Sequence, residues 1–75
     1  MIGGRVMPIT MVKVGESGSI KGIRGNDDIR RHLEHLGFVL GESVTVVAEI
    51  AGNLIVKVKN ARIALSKSMA NRIVV

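Results

Sequence analysis

The stretch Ser43–Lys59, SVTVVAEIAGNLIVKVK, decides how the chain folds. Two runs rich in β-branched residues flank Ala51-Gly52-Asn53, the pattern of a β-hairpin. Side-chain parity selects the loop length. A two-residue loop mixes polar and apolar residues on both faces. A three-residue loop sets Val44, Val46, Ala48, Ile50, Leu54, Val56 and Val58 on one face, and Thr45, Val47, Glu49, Ile55, Lys57 and Lys59 on the other. A one-residue slip exchanges the faces, so the apolar set specifies the register. Gly52 and Asn53 tolerate the positive φ that such loops need. The expectation is a three-residue loop.

Upstream of the hairpin, Asn26-Asp27-Asp28 starts a helix. Asn26 can cap free backbone N–H groups, and the two aspartates complement the positive end of the helix dipole. The helix is expected over 27–36, with Ile29, Leu33 and Leu36 forming one apolar stripe. Asp27–Arg31 and Arg30–Glu34 are spaced for ion pairs on its other side. Gly37 supplies the C-terminal stop. Before the helix, residues 1–8 (MIGGRVMP) have no period and read as a flexible leader, with Met7 a second possible start. Ile9 to Val14 is expected to be extended, and Val14–Gly18 to turn. A strand follows over Ser19–Arg24, kinked at Gly22 so that Ile20 and Ile23 both point inward.

Downstream, Asn60-Ala61 turns the chain into a strand over Arg62–Leu65, with Ile63 and Leu65 inward. Ser66 caps a helical turn over 67–71 that places Met69 on the core, and Arg72–Val75 closes the chain as a last strand. About five short strands with one inserted helix describe a β-dominated, all-β class fold, a small antiparallel barrel over residues 9–75.

Seventy-five residues make one domain, which buries only roughly 60 % of its unfolded surface. There is no cysteine, which removes disulfides, thiolate metal sites and Cys nucleophiles together. No apolar run reaches the roughly 20 residues of a membrane span, and the N-terminus lacks a signal peptide's apolar segment. A cytoplasmic location is expected. Net charge is +5 and the pI about 10.5, so an acidic partner fits. Nucleic acid is not the expected one: the basic residues are scattered, and Phe38 is the only aromatic residue, which leaves no base-stacking platform.

No phosphate-binding glycine loop and no nucleophile–base pair is present, and an enzyme is not expected. Two groups of residues carry other chemistry. On the helix, with Ile29 at zero, Asp28, His32 and His35 fall at about 260°, 300° and 240°. Two imidazoles and a carboxylate on one flank are candidate ligands for a divalent ion such as Fe²⁺ or Zn²⁺, although an i,i+3 His pair is far less specific than zinc-site spacing. The second group is for a partner: Phe38 and Val39, in the run Phe38-Val39-Leu40 that either fills the barrel beneath the helix or leaves one residue exposed to dock a protein, and the hairpin residues Val47, Ile55, Lys57 and Lys59. Val47 and Ile55 stand on the polar face, where apolar side chains mark a contact surface.

Taken together, Arg30-Arg31-His32-Leu33-Glu34-His35-Leu36-Gly37-Phe38-Val39-Leu40-Gly41 resembles the R-x-L-x-x-L-G-F-x-x-G element of the FeoA family. Asn53–Val58, Arg62–Leu65 and Ala70–Val75 continue the likeness, and Val14–Gly18 resembles that family's opening turn. It covers Ile9 to Val75. The resemblance implies an SH3-like barrel with an inserted helix, and a small cytosolic protein of bacterial ferrous iron uptake that acts on FeoB, a permease with a cytosolic GTP-binding domain. It implies no catalytic residue and no metal ligand set. The short Ala51-Gly52-Asn53 turn departs from the longer loop of many members.

Three readings follow. The first is a non-enzymatic module that binds and modulates the cytosolic face of a FeoB-type permease, peripheral at the inner face of the membrane. The second is an SH3-like nucleic-acid-binding module of the KOW or Sm type. The third is a metal-sensing or interaction module like the C-terminal domain of diphtheria-toxin-repressor-type regulators.

Overall fold

The computed structural model describes residues 6–75; positions 1–5 of the expected leader lie outside them. Its strands are β1 (Ser17–Ser19), β2 (Gly22–Ile23), β3 (Ser43–Ile50), β4 (Asn53–Val58), β5 (Ala61–Ser66) and β6 (Ile73–Val74). Helix α1 (Asp27–His35) follows β2, and the four-residue helical turn α2 (Lys67–Ala70) follows β5. All pairings are antiparallel, in a four-stranded sheet of order β1-β3-β4-β5 and a two-stranded sheet of β2 and β6. The fold is SH3-like, as the resemblance to the FeoA family implies.

The hairpin loop is shorter than parity indicated. Ile50 pairs with Asn53, which leaves Ala51 and Gly52 as a two-residue turn. Both take left-handed backbone, at φ 51° and 82°, the twist that suits a two-residue hairpin. A register shift between Val46 and Ala48 then puts one extra residue, Val47, into β3. The short turn moves side-chain parity by one position and the bulge moves it back. Val44, Val46, Val56 and Val58 therefore all stand in the core. Between bulge and turn no such correction applies. Ile50, expected inward, is 60 % exposed, and Glu49 stands opposite buried Leu54.

The first segment also differs. Met7 exchanges backbone hydrogen bonds with Val75 (2.9 and 2.8 Å) and Pro8 bridges Val74, so ordered pairing begins inside the expected leader. Ile9–Met11 forms a turn of 3₁₀-helix where an extended segment was expected; the turn drives Ile9 fully into the core. The strand expected over Ser19–Arg24 divides at Ile20-Lys21, two residues from the kink anticipated at Gly22. Ile20 N–H donates to Glu42 O (2.9 Å) and Lys21 N–H to Val74 O (2.7 Å), so the chain passes there from one sheet to the other.

Helix α1 starts as its sequence indicates: Asn26 Oδ1 accepts from Ile29 N–H at 2.9 Å. It stops one residue early, with Leu36 as the cap. Gly37 turns left-handed at φ 110°. Phe38 N–H then donates to Leu33 O (3.0 Å) and Gly37 N–H to Glu34 O (2.9 Å), the two bonds of a Schellman stop. This stop delivers Phe38 to the core beside Leu33, both without exposed area. The expected i,i+4 ion pairs are not formed; Arg31 lies instead 3.9 Å from Asp28, exposed, where a pair contributes little. Ser66 Oγ accepts from Met69 N–H (3.2 Å) and so caps α2.

Two substitutions test this packing. Phe38→Ala is expected to cost about 3–5 kcal/mol, a large part of a ~5–15 kcal/mol margin, and to shift the midpoint of a denaturant titration to much lower concentration. Asn26→Ala removes one cap and is expected to cost about 1 kcal/mol.

Candidate partner-binding surface

Strand register builds the outer face of the four-stranded sheet row by row. Ser17 pairs with Thr45, Thr45 with Lys57, and Lys57 with Arg62, so these four side chains cross the sheet in one line. At one end the two hydroxyls hydrogen-bond to each other, Ser17 Oγ to Thr45 Oγ1, at 2.6 Å. At the other end two cations stand directly opposite each other. Like charges so placed are destabilising. The next row toward the hairpin tip is Ala48, Ile55 and Ala64, and Ile55 and Val47 are half-buried. The row on the other side begins with Ser19 and Ser43. No carboxylate stands in any of these positions.

Two carboxylates near the sheet are engaged with other cations. Glu42 lies 3.6 Å from Lys59 and Glu49 2.6 Å from Lys67. Lys59 sits in the β4–β5 turn at φ 55°. Its stem runs beside Gly37, where an added Cβ would meet Lys59 Cδ and Cε at 3.6 Å. Lys59 is thus drawn toward the end of α1, away from the Lys57 row. Lys57 and Arg62 have no ion-pair partner among the described residues.

The six residues expected to meet a partner therefore fall in different places. Val47, Ile55 and Lys57 share the outer sheet, Lys59 lies at its end, and Val39 is at the margin of exposure (36 %) in the loop after α1. Phe38 has no exposed area at all. It fills the core because the Schellman stop aims it there, and it has no surface to offer a partner. Its neighbour Leu40, 71 % exposed, is the residue of that loop that does. The sequence leaves one residue of Phe38-Val39-Leu40 as a candidate for exposure, and Leu40 is the most exposed of the three; the pattern alone missed Thr45 and Arg62. Arg62 joins Lys57 through the register of the β4–β5 hairpin, and the register of β3 and β1 extends the row to Thr45 and Ser17.

On α1, the geometry does not gather Asp28, His32 and His35. Among the described residues no three His, Cys, Asp or Glu side chains form a group able to hold a metal ion. A shared flank is not enough: at 1.5 Å rise per residue, positions 28 and 35 stand about 10 Å apart along the axis. Asp28 turns to Arg31 instead.

Two of the surface depressions adjoin these elements. One, of about 270 Å³, lies between β2 and α1 and is lined by Lys21, Gly22, Ile23, Arg30, Glu34 and Leu40. The other, of about 370 Å³, has an apolar floor that includes Met7, Met11, Val12 and Val75, with Lys13, Glu16 and Lys21 also lining it. No helix among the described residues is long and apolar enough to cross a membrane.

The FeoA domain family model matches residues 7–75. The chain belongs to the FeoA domain family. The match begins at Met7, the residue whose backbone pairs with Val75. Among solved structures the FeoA domain is similar to an iron uptake regulatory protein, FeoA, with 27 % identity, 93 % of each chain covered and a TM-score of 0.85. It is similar also to the FeoA of Stenotrophomonas maltophilia, solved with zinc and described as a prokaryotic SH3 domain protein. There the identity is 34 %, with 89 % of this chain and 86 % of that chain covered and a TM-score of 0.79. A manganese-dependent transcriptional repressor shares the fold at 23 % identity and TM-score 0.83; 93 % of this chain covers 40 % of that longer one. No curated protein matches the sequence.

Because Lys57 and Arg62 repel, Arg62→Glu in this FeoA domain is expected to stabilise it by about 0.5 kcal/mol. The melting temperature would rise by roughly 2–4 °C at low salt, and the gain would shrink in 1 M salt.

Proposed function

We propose that the protein is a non-enzymatic accessory of ferrous iron uptake that binds and modulates the cytosolic face of a FeoB-type permease. The observation that carries this reading is the FeoA match over residues 7–75, with similarity at 27–34 % identity to proteins described as acting in iron uptake or transport. The groove between β2 and α1 supports it as a docking site. Leu40 presents an apolar anchor at 71 % exposure, ringed by Lys21, Arg30 and Glu34. An exposed apolar residue within a charged rim is the form of a small protein-binding hot spot. The basic balance of the chain, +5, suits an acidic partner or the anionic membrane face beside a permease. Its place would then be the cytoplasm, at the inner face of the membrane.

Capture of the permease's cytosolic GTP-binding part on the immobilised protein tests this. Wild type is expected to retain it, and Leu40→Asp to lose at least about tenfold in affinity while its far-UV circular dichroism stays unchanged. Retained Fe²⁺ uptake after deletion of the gene would refute the role in uptake.

A further inference from the structure

A second surface lies on the outer sheet, separate from the groove beside α1. We propose that the row Ser17–Thr45–Lys57–Arg62 is a docking site for an extended acidic segment of a partner protein, with carboxylates over Lys57 and Arg62 and an aliphatic side chain on Ile55. The charge is arranged for it. Two cations face each other across β4 and β5 with no ion-pair partner among the described residues. An incoming carboxylate removes the repulsion between them, and the Arg62 fork donates two N–H bonds to it.

The spacing sets the pattern of the occupant. Along an extended chain, alternate residues advance about 6.6 Å, which is also the step between neighbouring rows of a sheet. A segment aligned with the strands and carrying Glu-x-Leu therefore sets its carboxylate on the Lys57–Arg62 row and its leucine on the Ile55–Ala64 row. The hydroxyls of Ser17 and Thr45, already bonded at 2.6 Å, offer further polar contacts at the far end.

A protein segment fits better than other anions. Stacking on nucleic acid bases needs an exposed aromatic residue, and Phe38, the only aromatic residue of the chain, is fully buried. Membrane insertion needs protruding apolar side chains. Leu40 and Met11, at 71 % and 69 % exposure, are on other elements; on this sheet only Ile50, 60 % exposed at the hairpin tip, protrudes, while Ile55 is half-buried, and one apolar side chain is a weak membrane anchor. The inference stands apart from the identity of the permease.

Titration of the ¹⁵N-labelled full chain with a capped peptide containing Glu-Ser-Leu-Ser-Glu tests it. Saturable amide shifts confined to Thr45, Ile55, Lys57 and Arg62 are expected. Lys57→Gln with Arg62→Gln should weaken binding at least about tenfold, with the spectrum still dispersed, while Lys13→Gln, in the other depression, leaves it unchanged. Absence of saturable shifts, or equal loss in Lys13→Gln, would overturn the proposal. So would tighter engagement of the same amides by phosphatidylglycerol vesicles or by a single-stranded oligonucleotide, since the site would then be lipid- or nucleic-acid-directed.

Discussion

The bulge at Val47 governs this structure. The left-handed pair Ala51-Gly52 closes β3 on β4 with the shortest possible turn, and by itself that turn would put the valines of the two strands on opposite faces. One extra residue in β3 restores the phase. Val44, Val46, Val56 and Val58, each at most 1 % exposed, then form a continuous wall. Everything else packs on it: Leu65 from β5, Leu33 from α1, Phe38 from the loop behind α1, and Ile9 and Ile73 from the two ends of the chain. A bulge also increases local twist, which helps a short sheet wrap around so small a core.

The second constraint is how α1 ends. Gly37 takes a φ of 110° that a side chain would resist, and the two Schellman hydrogen bonds fix the direction of exit. Phe38 enters the core by this route, and Leu40, two residues later, is left in solvent. One backbone feature thus decides both the largest buried side chain and the most exposed one of the same loop. The apolar anchor of the candidate groove is a by-product of seating the aromatic ring.

The charge distribution follows from topology in the same way. Three of the eleven basic residues have carboxylate partners among the described residues: Arg31 on α1, Lys59 in the β4–β5 turn and Lys67 at the start of α2. The centre of the outer sheet has none. Lys57 and Arg62 belong to strands that must be neighbours to complete the core, so their opposition is imposed by the same register that buries Val56 beside Ile63. A domain of this size has little stability to spare, which makes an uncompensated cation pair at mid-sheet the natural place to look for a partner.

Much of the fold was legible in the residues themselves, because its cues are local. Asn26 and Ser66 announce helix starts, Gly37 a stop, and the alternation of valines a half-buried sheet; each acts through atoms within a few positions along the chain. The R-x-L-x-x-L-G-F-x-x-G run already resembled the FeoA family. The hairpin loop was misread because parity counts residues and cannot distinguish a three-residue loop from a two-residue loop plus a bulge. The histidine flank rested on angle around the helix, which says nothing of distance along it. Tertiary structure alone decided the rest. Strand register set Lys57 against Arg62, the pairing of Met7 with Val75 tied the two chain ends together, and the division at Ile20-Lys21 joined the two sheets. Lys57 and Arg62 are only five residues apart, and the register of the tight β4–β5 turn sets them opposite each other. The last two are contacts between segments far apart in sequence, where the position of each partner depends on the packing of the whole core.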